Sequence, residues 1–228
     1  MARKPRHCPG GLAYHVMNRT WGKIELFEDA GDYLAFEKVL AQALEREGTL
    51  RLCAYCLMPN HFHLVLWPKS DGQLSRFMQW LSMTHAQRWH AHRHSGGRGH
   101  LYQSRFKSFP IQKDEHFLSV CRYVERNPLR AGLVKGAELW PWSSLGLRGR
   151  EPSAGPVPAL SAWPVEMPPD WAQRVNLAQD DAQLNAIRAS RDRGRPLGDA
   201  QWASRTAARL GIESSMRAIG RPKRRPET

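Results

Sequence analysis

No apolar run in this sequence approaches the roughly 18 residues of a membrane span. Its basic start, Met1-Ala2-Arg3-Lys4-Pro5-Arg6, runs into His7, Cys8, Pro9 and Gly10 rather than into the apolar stretch of a secretory leader. A protein with no membrane segment, working inside the cell, is the expectation. Cysteine is scarce: Cys8, Cys53, Cys56 and Cys121 are the four in 228 residues, too few and too scattered for a disulfide framework, which fits a reducing cytoplasm. Acidic residues are outnumbered, 21 Asp and Glu against 34 Lys and Arg. The resulting charge of +13 and pI near 10.2 are the footprint of a protein that sits on a polyanion, and nucleic acid is the first partner to consider.

What is present reads as one core followed by an extension. Leu12 to Asn18 forms a short strand, and Asp32 to Glu47 carries Tyr33, Phe36, Leu40, Ala43 and Leu44 at helical spacing before Gly48 closes it. Leu50 to Leu57 and His61 to Trp67 are β-rich runs separated by Met58-Pro59-Asn60, a hairpin signal. Leu74, Phe77, Met78, Leu81 and Trp89 mark a second helix, with Ser70 or Asp71 as its N-cap and an end near Ser95-Gly96-Gly97. Residues 102–111 give another strand and Asp114 to Arg126 a third helix, with Phe117, Val120, Cys121 and Val124 as its apolar stripe. The order β-α-β-β-α-β-α predicts an α+β fold, the ferredoxin-like split β-α-β antiparallel sheet with helices packed on it. Proline-rich stretches after Trp142, at 151–158 and 163–169, set the boundary of the core at residues 1–148. Residues 149–228 read as a Pro-rich linker and a basic, DNA-contacting extension: from Arg188 onward 11 Arg and Lys face four Asp and Glu, with Trp202 to Ile212 as a short helix.

The chemistry is concentrated in two places. His61 and His63 alternate along a strand, so period-two geometry puts both imidazoles on one face and Phe62 on the other. Two neighbouring imidazoles in a buried strand need partners for four ring nitrogens, and a shared divalent ion meets that need. Tyr123 and Asn127, spaced i, i+4, share a face of the third helix, and Pro128 ends that helix close to the Asn127 amide. Together they suggest a cation held by His61, His63 and Asn127, with Tyr123 attacking a phosphodiester. Neutral ligands hold Mg²⁺ loosely, so Mg²⁺ or Mn²⁺ would be exchangeable. The competing zinc set, Cys53 and Cys56 with the two histidines, fails on geometry, because an odd spacing sends the two cysteines to opposite faces of a regular strand. Without the metal, H-x-H is one core and one solvated histidine, and Tyr123 is a packing residue.

These segments resemble the single-tyrosine HUH transposases, within them the REP-associated tyrosine transposases of bacteria. The resemblance rests on Tyr14-His15-Val16-Met17-Asn18-Arg19, Met58-Pro59-Asn60-His61-Phe62-His63-Leu64, Gly99-His100-Leu101-Tyr102-Gln103-Ser104-Arg105-Phe106-Lys107, Tyr123-Val124-Glu125-Arg126-Asn127-Pro128 with the Leu129-Val134 run, and Trp140-Pro141-Trp142-Ser143-Ser144. It implies an endonuclease and strand transferase on single-stranded DNA that forms a 5′-phosphotyrosine at Tyr123, with His61 and His63 holding Mg²⁺ or Mn²⁺ and Asn127 as third ligand. Palindromic DNA hairpins are the implied substrate and the bacterial cytoplasm, at the nucleoid, the implied location. The implied nucleic-acid contacts fall on Asn18, Arg19, Arg105, Lys107, Arg126, Arg130, Arg193 and Arg195. Arg193-Gly194-Arg195-Pro196-Leu197-Gly198 and Gly220-Arg221-Pro222-Lys223 also resemble the REP-associated branch. Both monomeric and homodimeric forms fit the resemblance. A hairpin-binding protein that kept the fold and lost catalysis is the alternative, whereas a two-histidine RNA phosphoesterase would need two separate H-x-Ser/Thr motifs.

Overall fold

A computed structural model describes residues 7–22, 24–95, 99–150 and 157–217. Gly96-Gly97, the proline-rich 151–156 and the Gly220-Arg221-Pro222-Lys223 motif lie outside the described residues.

Strands β1 (Ala13–Arg19), β2 (Arg51–Met58), β3 (His61–Trp67) and β4 (Lys107–Ile111) pair antiparallel in the order β2-β3-β1-β4. The hairpin partner β3 lies between β1 and β2, which is the ferredoxin-like arrangement expected from the element order. The helices are α1 (Ala30–Glu47), α2 (Gln73–His92), α3 (Glu115–Glu125), α4 (Asn127–Arg130), α5 (Ser144–Arg148), α6 (Trp171–Asn176), α7 (Asp181–Arg193) and α8 (Ala200–Leu210). None is long and apolar enough to cross a membrane.

Alternation along the strands sorts the core into two layers. Tyr14, Val16, Leu52, Phe62, Leu64 and Leu66 pack with Phe36 and Leu40 of α1 and Leu74 and Phe77 of α2. Ala13, Val65, Phe109 and Ile111 pack on the other face with Phe117, Val120 and Val124 of α3. Each fully buried large apolar side chain stabilises by roughly 1.5–3 kcal/mol, and the strands contribute to both layers. That explains their near-continuous apolar runs.

Local chemistry sets the helix ends. Asp29 starts α1 by accepting from the Asp32 amide, and Gly48, at φ 60°, closes it with its N–H on the Leu44 carbonyl. Asp114 caps α3 through the His116 amide. The start of α2 departs from the sequence expectation: neither Ser70 nor Asp71 caps it. Gly72 occupies the cap position at φ 72° with no side-chain cap, and Asp71 Oδ1 accepts instead from the Gly10 amide at 2.8 Å. The strand expected from residue 102 begins only at Lys107, because Tyr102 makes a single bridge to Thr20.

Two further differences matter for the site. A register shift between Leu52 and Ala54 puts an extra residue into β2, so Cys53 and Cys56 face the same layer beside α3 rather than opposite faces. The residues beyond 148 also do not stand apart from the core. Trp171, Val175, Ile187 and Leu197 pack into the layer under α3. Leu197 bridges Ile111 at the outer edge of β4, exchanging 2.9 Å bonds with the Pro110 carbonyl and the Gln112 amide. On the opposite edge, the Leu57 amide donates to the Trp142 carbonyl and the Ser161 amide to the Leu52 carbonyl, each at 2.8 Å.

Candidate active site

His61 and His63 sit on the face of β3 that receives α3, and α3 carries Tyr123 down onto them. The Tyr123 ring lies edge-on to His63 with centroids 5.8 Å apart, and the two histidine rings are perpendicular at 4.9 Å. They line a cleft of about 630 Å³ whose rim is basic: Arg19, Lys107, Arg130 and Arg191 all reach it. Sequence reasoning thus placed His61, His63, Tyr123 and Asn127 together, and the structure brings all four to this cleft.

The imidazoles are neutral near pH 7. Burial, reinforced by Arg19, Arg130 and Arg191, pushes the His61 pKa down to about 4. Burial and the neighbouring His61 and His15 rings hold His63 well below the ordinary value. A neutral imidazole keeps a lone pair for a cation, so the donor type fits a divalent metal. Hydrogen bonds occupy one nitrogen of each ring: His61 Nδ1–H donates to Asn60 Oδ1 at 2.7 Å, and His63 Nδ1 meets His15 Nε2 at 2.8 Å. Among the described residues no hydrogen bond engages Nε2 of either ring, which leaves those atoms as the available donors.

Asn127 is differently placed. Its Nδ2 donates to the Tyr123 and Val124 carbonyls, at 3.1 and 3.4 Å, and so finishes α3 as a side-chain cap. Its Oδ1, the atom a cation would use, accepts from Arg130. Among the described residues no three His, Cys, Asp or Glu side chains converge as a metal cluster, so the protein offers two imidazoles and a neutral amide oxygen. Such a set suits a cation whose remaining ligands come from phosphate oxygens.

The tyrosine is set among cations. Tyr123 is 1% exposed, its hydroxyl receives a 3.4 Å bond from Arg191 Nη1, and the Arg130 guanidinium stands over its ring. Arg191 is in turn paired with Asp192, whose carboxyl it holds below the usual range, and Asp192 also meets Lys107 at 3.5 Å. His15, Arg191 and Asp192 were not singled out from the sequence. His15 lies on a neighbouring strand, diagonal to His63, and only the β1–β3 register reveals the pairing. Arg191 and Asp192 arrive on α7, from the region read as an extension.

The other basic residues divide by partner. Arg19, Lys107 and Arg130 reach the cleft, and Arg195 is exposed. Arg105 is exposed at the rim of a separate hollow of about 420 Å³ between α2 and the 102–106 segment, with Asn18 in its lining. Arg126 is committed to protein, donating to the Leu177 carbonyl at 2.8 Å and the Asn176 carbonyl at 3.3 Å. Arg193 holds the Ser214 and Arg217 carbonyls. The four cysteines are buried thiols, and burial raises the Cys56 thiol well above its ordinary value beside His63.

Comparison with known proteins fits this architecture. Residues 10–127 match the family described as transposase IS200 like. A solved structure of a REP-associated tyrosine transposase bound to a REP hairpin aligns with 74% of this chain and 100% of its own, at 20% identity and a TM-score of 0.50. A transposase structure from Deinococcus radiodurans R1 covers 54% of this chain and 96% of its own, at 22% identity and a TM-score of 0.36. No curated protein matches. The family match takes in the whole four-stranded sheet, both histidines and the tyrosine, and on that basis the chain belongs to the IS200-like transposase family.

Proposed function

We propose that this transposase is a metal-dependent endonuclease and strand transferase of the REP-associated branch, acting on single-stranded DNA with palindromic hairpins in the bacterial cytoplasm, at the nucleoid. The observation that carries the reading is the meeting of the Tyr123 phenol with the His61 and His63 imidazoles in one basic cleft. The fold shared with a transposase solved on a REP hairpin supports the choice of DNA.

In this reading His61 and His63, through Nε2, and Asn127, through Oδ1, would hold Mg²⁺ or Mn²⁺, which when bound would supply charge neutralisation at the phosphodiester under attack. The chain's own residues do the rest. Arg19, Lys107 and Arg130 draw the DNA backbone into the cleft. Arg191 orients the Tyr123 oxygen, whose charge grows as the phenol loses its proton. That oxygen, its proton released to solvent, bonds the phosphorus, the P–O3′ bond breaks, and the departing 3′ oxygen takes up a proton from solvent. The product is a 5′-phosphotyrosine, which a later 3′-hydroxyl resolves by the reverse displacement.

The test incubates the protein and Mn²⁺ with labelled single-stranded hairpins from the flanks of its own gene. A band shift that survives SDS, requires metal and disappears in Tyr123→Phe is the expected result. A second reading, a hairpin-binding protein without catalysis, draws on the Asn127 oxygen being occupied by Arg130. It predicts binding that persists in EDTA and in Tyr123→Phe, with no adduct under any metal. Free cleaved ends without an adduct would instead mark a hydrolytic nuclease.

A further inference from the structure

We infer that His15 is a positioning residue that accepts the proton of His63 Nδ1 when a cation binds, so that His63 Nε2 presents its lone pair to the cleft. The inference rests on the proposed reading of His61 and His63 as metal donors.

His15 is 1% exposed and lies against Phe109, with ring centroids 4.8 Å apart, on the sheet face that it shares by strand register with Ala13 and Val65 and that α3 covers. Packing alone would favour an apolar residue there. The ring carries a cost instead: its Nδ1 is buried with no hydrogen-bond partner, an arrangement that native cores avoid. Its other nitrogen makes one contact, 2.8 Å to His63 Nδ1. A polar group kept in a core at a net loss, with its single bond aimed at a candidate ligand, is the pattern of a residue retained for its effect on that ligand.

The bond admits two proton arrangements. If His15 donates from Nε2–H, His63 carries its proton on Nε2 and cannot bind a cation there. If His63 donates from Nδ1–H, His15 Nε2 accepts and His63 Nε2 is free. Only the second is compatible with a ligand at His63, and His15 is the acceptor that satisfies it. His61 has the matching support: Asn60 Oδ1 accepts only, so His61 keeps its proton on Nδ1 and offers Nε2. Both imidazoles are thus backed by a partner behind the ring, as bound metals commonly require.

The test measures Mn²⁺ affinity of the full chain by electron paramagnetic resonance, without DNA. His15→Phe, which keeps a ring against Phe109 and removes the acceptor, should weaken Mn²⁺ by about 10- to 100-fold. His15→Gln, whose amide oxygen can accept in place of Nε2, should stay within about threefold of the unaltered protein. Independently, two-bond ¹⁵N–¹H spectra of the unaltered protein loaded with Mg²⁺ should show His63 protonated at Nδ1. A folded His15→Phe that binds Mn²⁺ like the parent, or a His63 proton on Nε2 in the Mg²⁺ form, would overturn the role of His15 and leave the nuclease reading standing. Absence of Mn²⁺ binding by the unaltered protein both alone and with single-stranded hairpin DNA, whose phosphates can complete the ligand set, would bring down both.

Discussion

The guanidinium of Arg130 lies 4.3 Å from the centroid of the Tyr123 ring and donates at the same time to the Asn127 amide oxygen. One cation therefore covers the nucleophile and occupies the oxygen proposed as third ligand. In the proposed reaction an arriving phosphate gives Arg130 a stronger partner, since charge-assisted bonds to phosphate outweigh those to a neutral amide. Its departure frees Asn127.

Arg130→Ala should slow single-turnover adduct formation by about 10²- to 10³-fold, the scale of removing one preorganised charge from a reacting centre. Arg130→Lys should recover only part of that rate, because an ammonium cannot reproduce the planar fork. An Arg130→Ala protein as fast as its parent would exclude this part of the proposal.

Acid should unfold this protein earlier than its size suggests. Burial takes His15 and His85 from 6.5 to about 3 and leaves His63 well below 6.5. The unfolded chain binds protons near 6.5 that the folded chain refuses, so their contribution is complete above about pH 6.5 and shrinks as pH falls toward the folded values. Each histidine removes up to about 1.4 kcal/mol per pH unit in that window. Urea unfolding at pH 7, 6 and 5 checks this; equal midpoints at the three values would refute it.

The buried carboxylate of Glu125 ties α3 to the segments that follow. It is fully buried and accepts from Ser144 Oγ, from Arg148 Nη1 at 2.6 Å and from Trp171 Nε1 at 2.6 Å. Glu125→Ala strands those donors and should cost about 3 kcal/mol, read as a lower urea midpoint. Tyr123, two residues earlier, should lose its fixed position, so adduct formation should fall further than unfolding alone explains.

Salt titration of hairpin binding separates the arginines. Arg195→Met should reduce the slope of log affinity against log salt by about 0.7, one phosphate contact on a single strand. Arg126→Met should leave the slope unchanged while lowering stability, because its guanidinium is spent on the Asn176 and Leu177 carbonyls. A slope change in the second variant would restore Arg126 to the DNA-contacting set.

The legible parts of this chain were those governed by local rules. Period two in β3 located both histidines on one face, and the 3.6-residue stripe of α3 located the layer it covers. The bulge at Cys53 was invisible because an extra residue changes pairing without changing the apolar pattern. His15 stands in the Tyr14–Arg19 segment that carries the resemblance, but its pairing with His63, 48 positions away, is visible only in the folded sheet. In the segment after residue 157 the Trp202 to Ile212 helix is legible and matches α8, whereas prolines and charge mask α6 and α7, and the contribution to the cleft, Arg191 and Asp192 of α7, is a matter of docking rather than of propensity.

The stretch around Leu197 along β4, and the Trp142 and Ser161 backbone along β2, have a consequence for self-association. Both margins of the sheet are stapled by the chain itself, so a foreign strand finds little main-chain template at either border. Growth of the sheet from molecule to molecule is discouraged there, and the four-stranded sheet is protected from edgewise stacking.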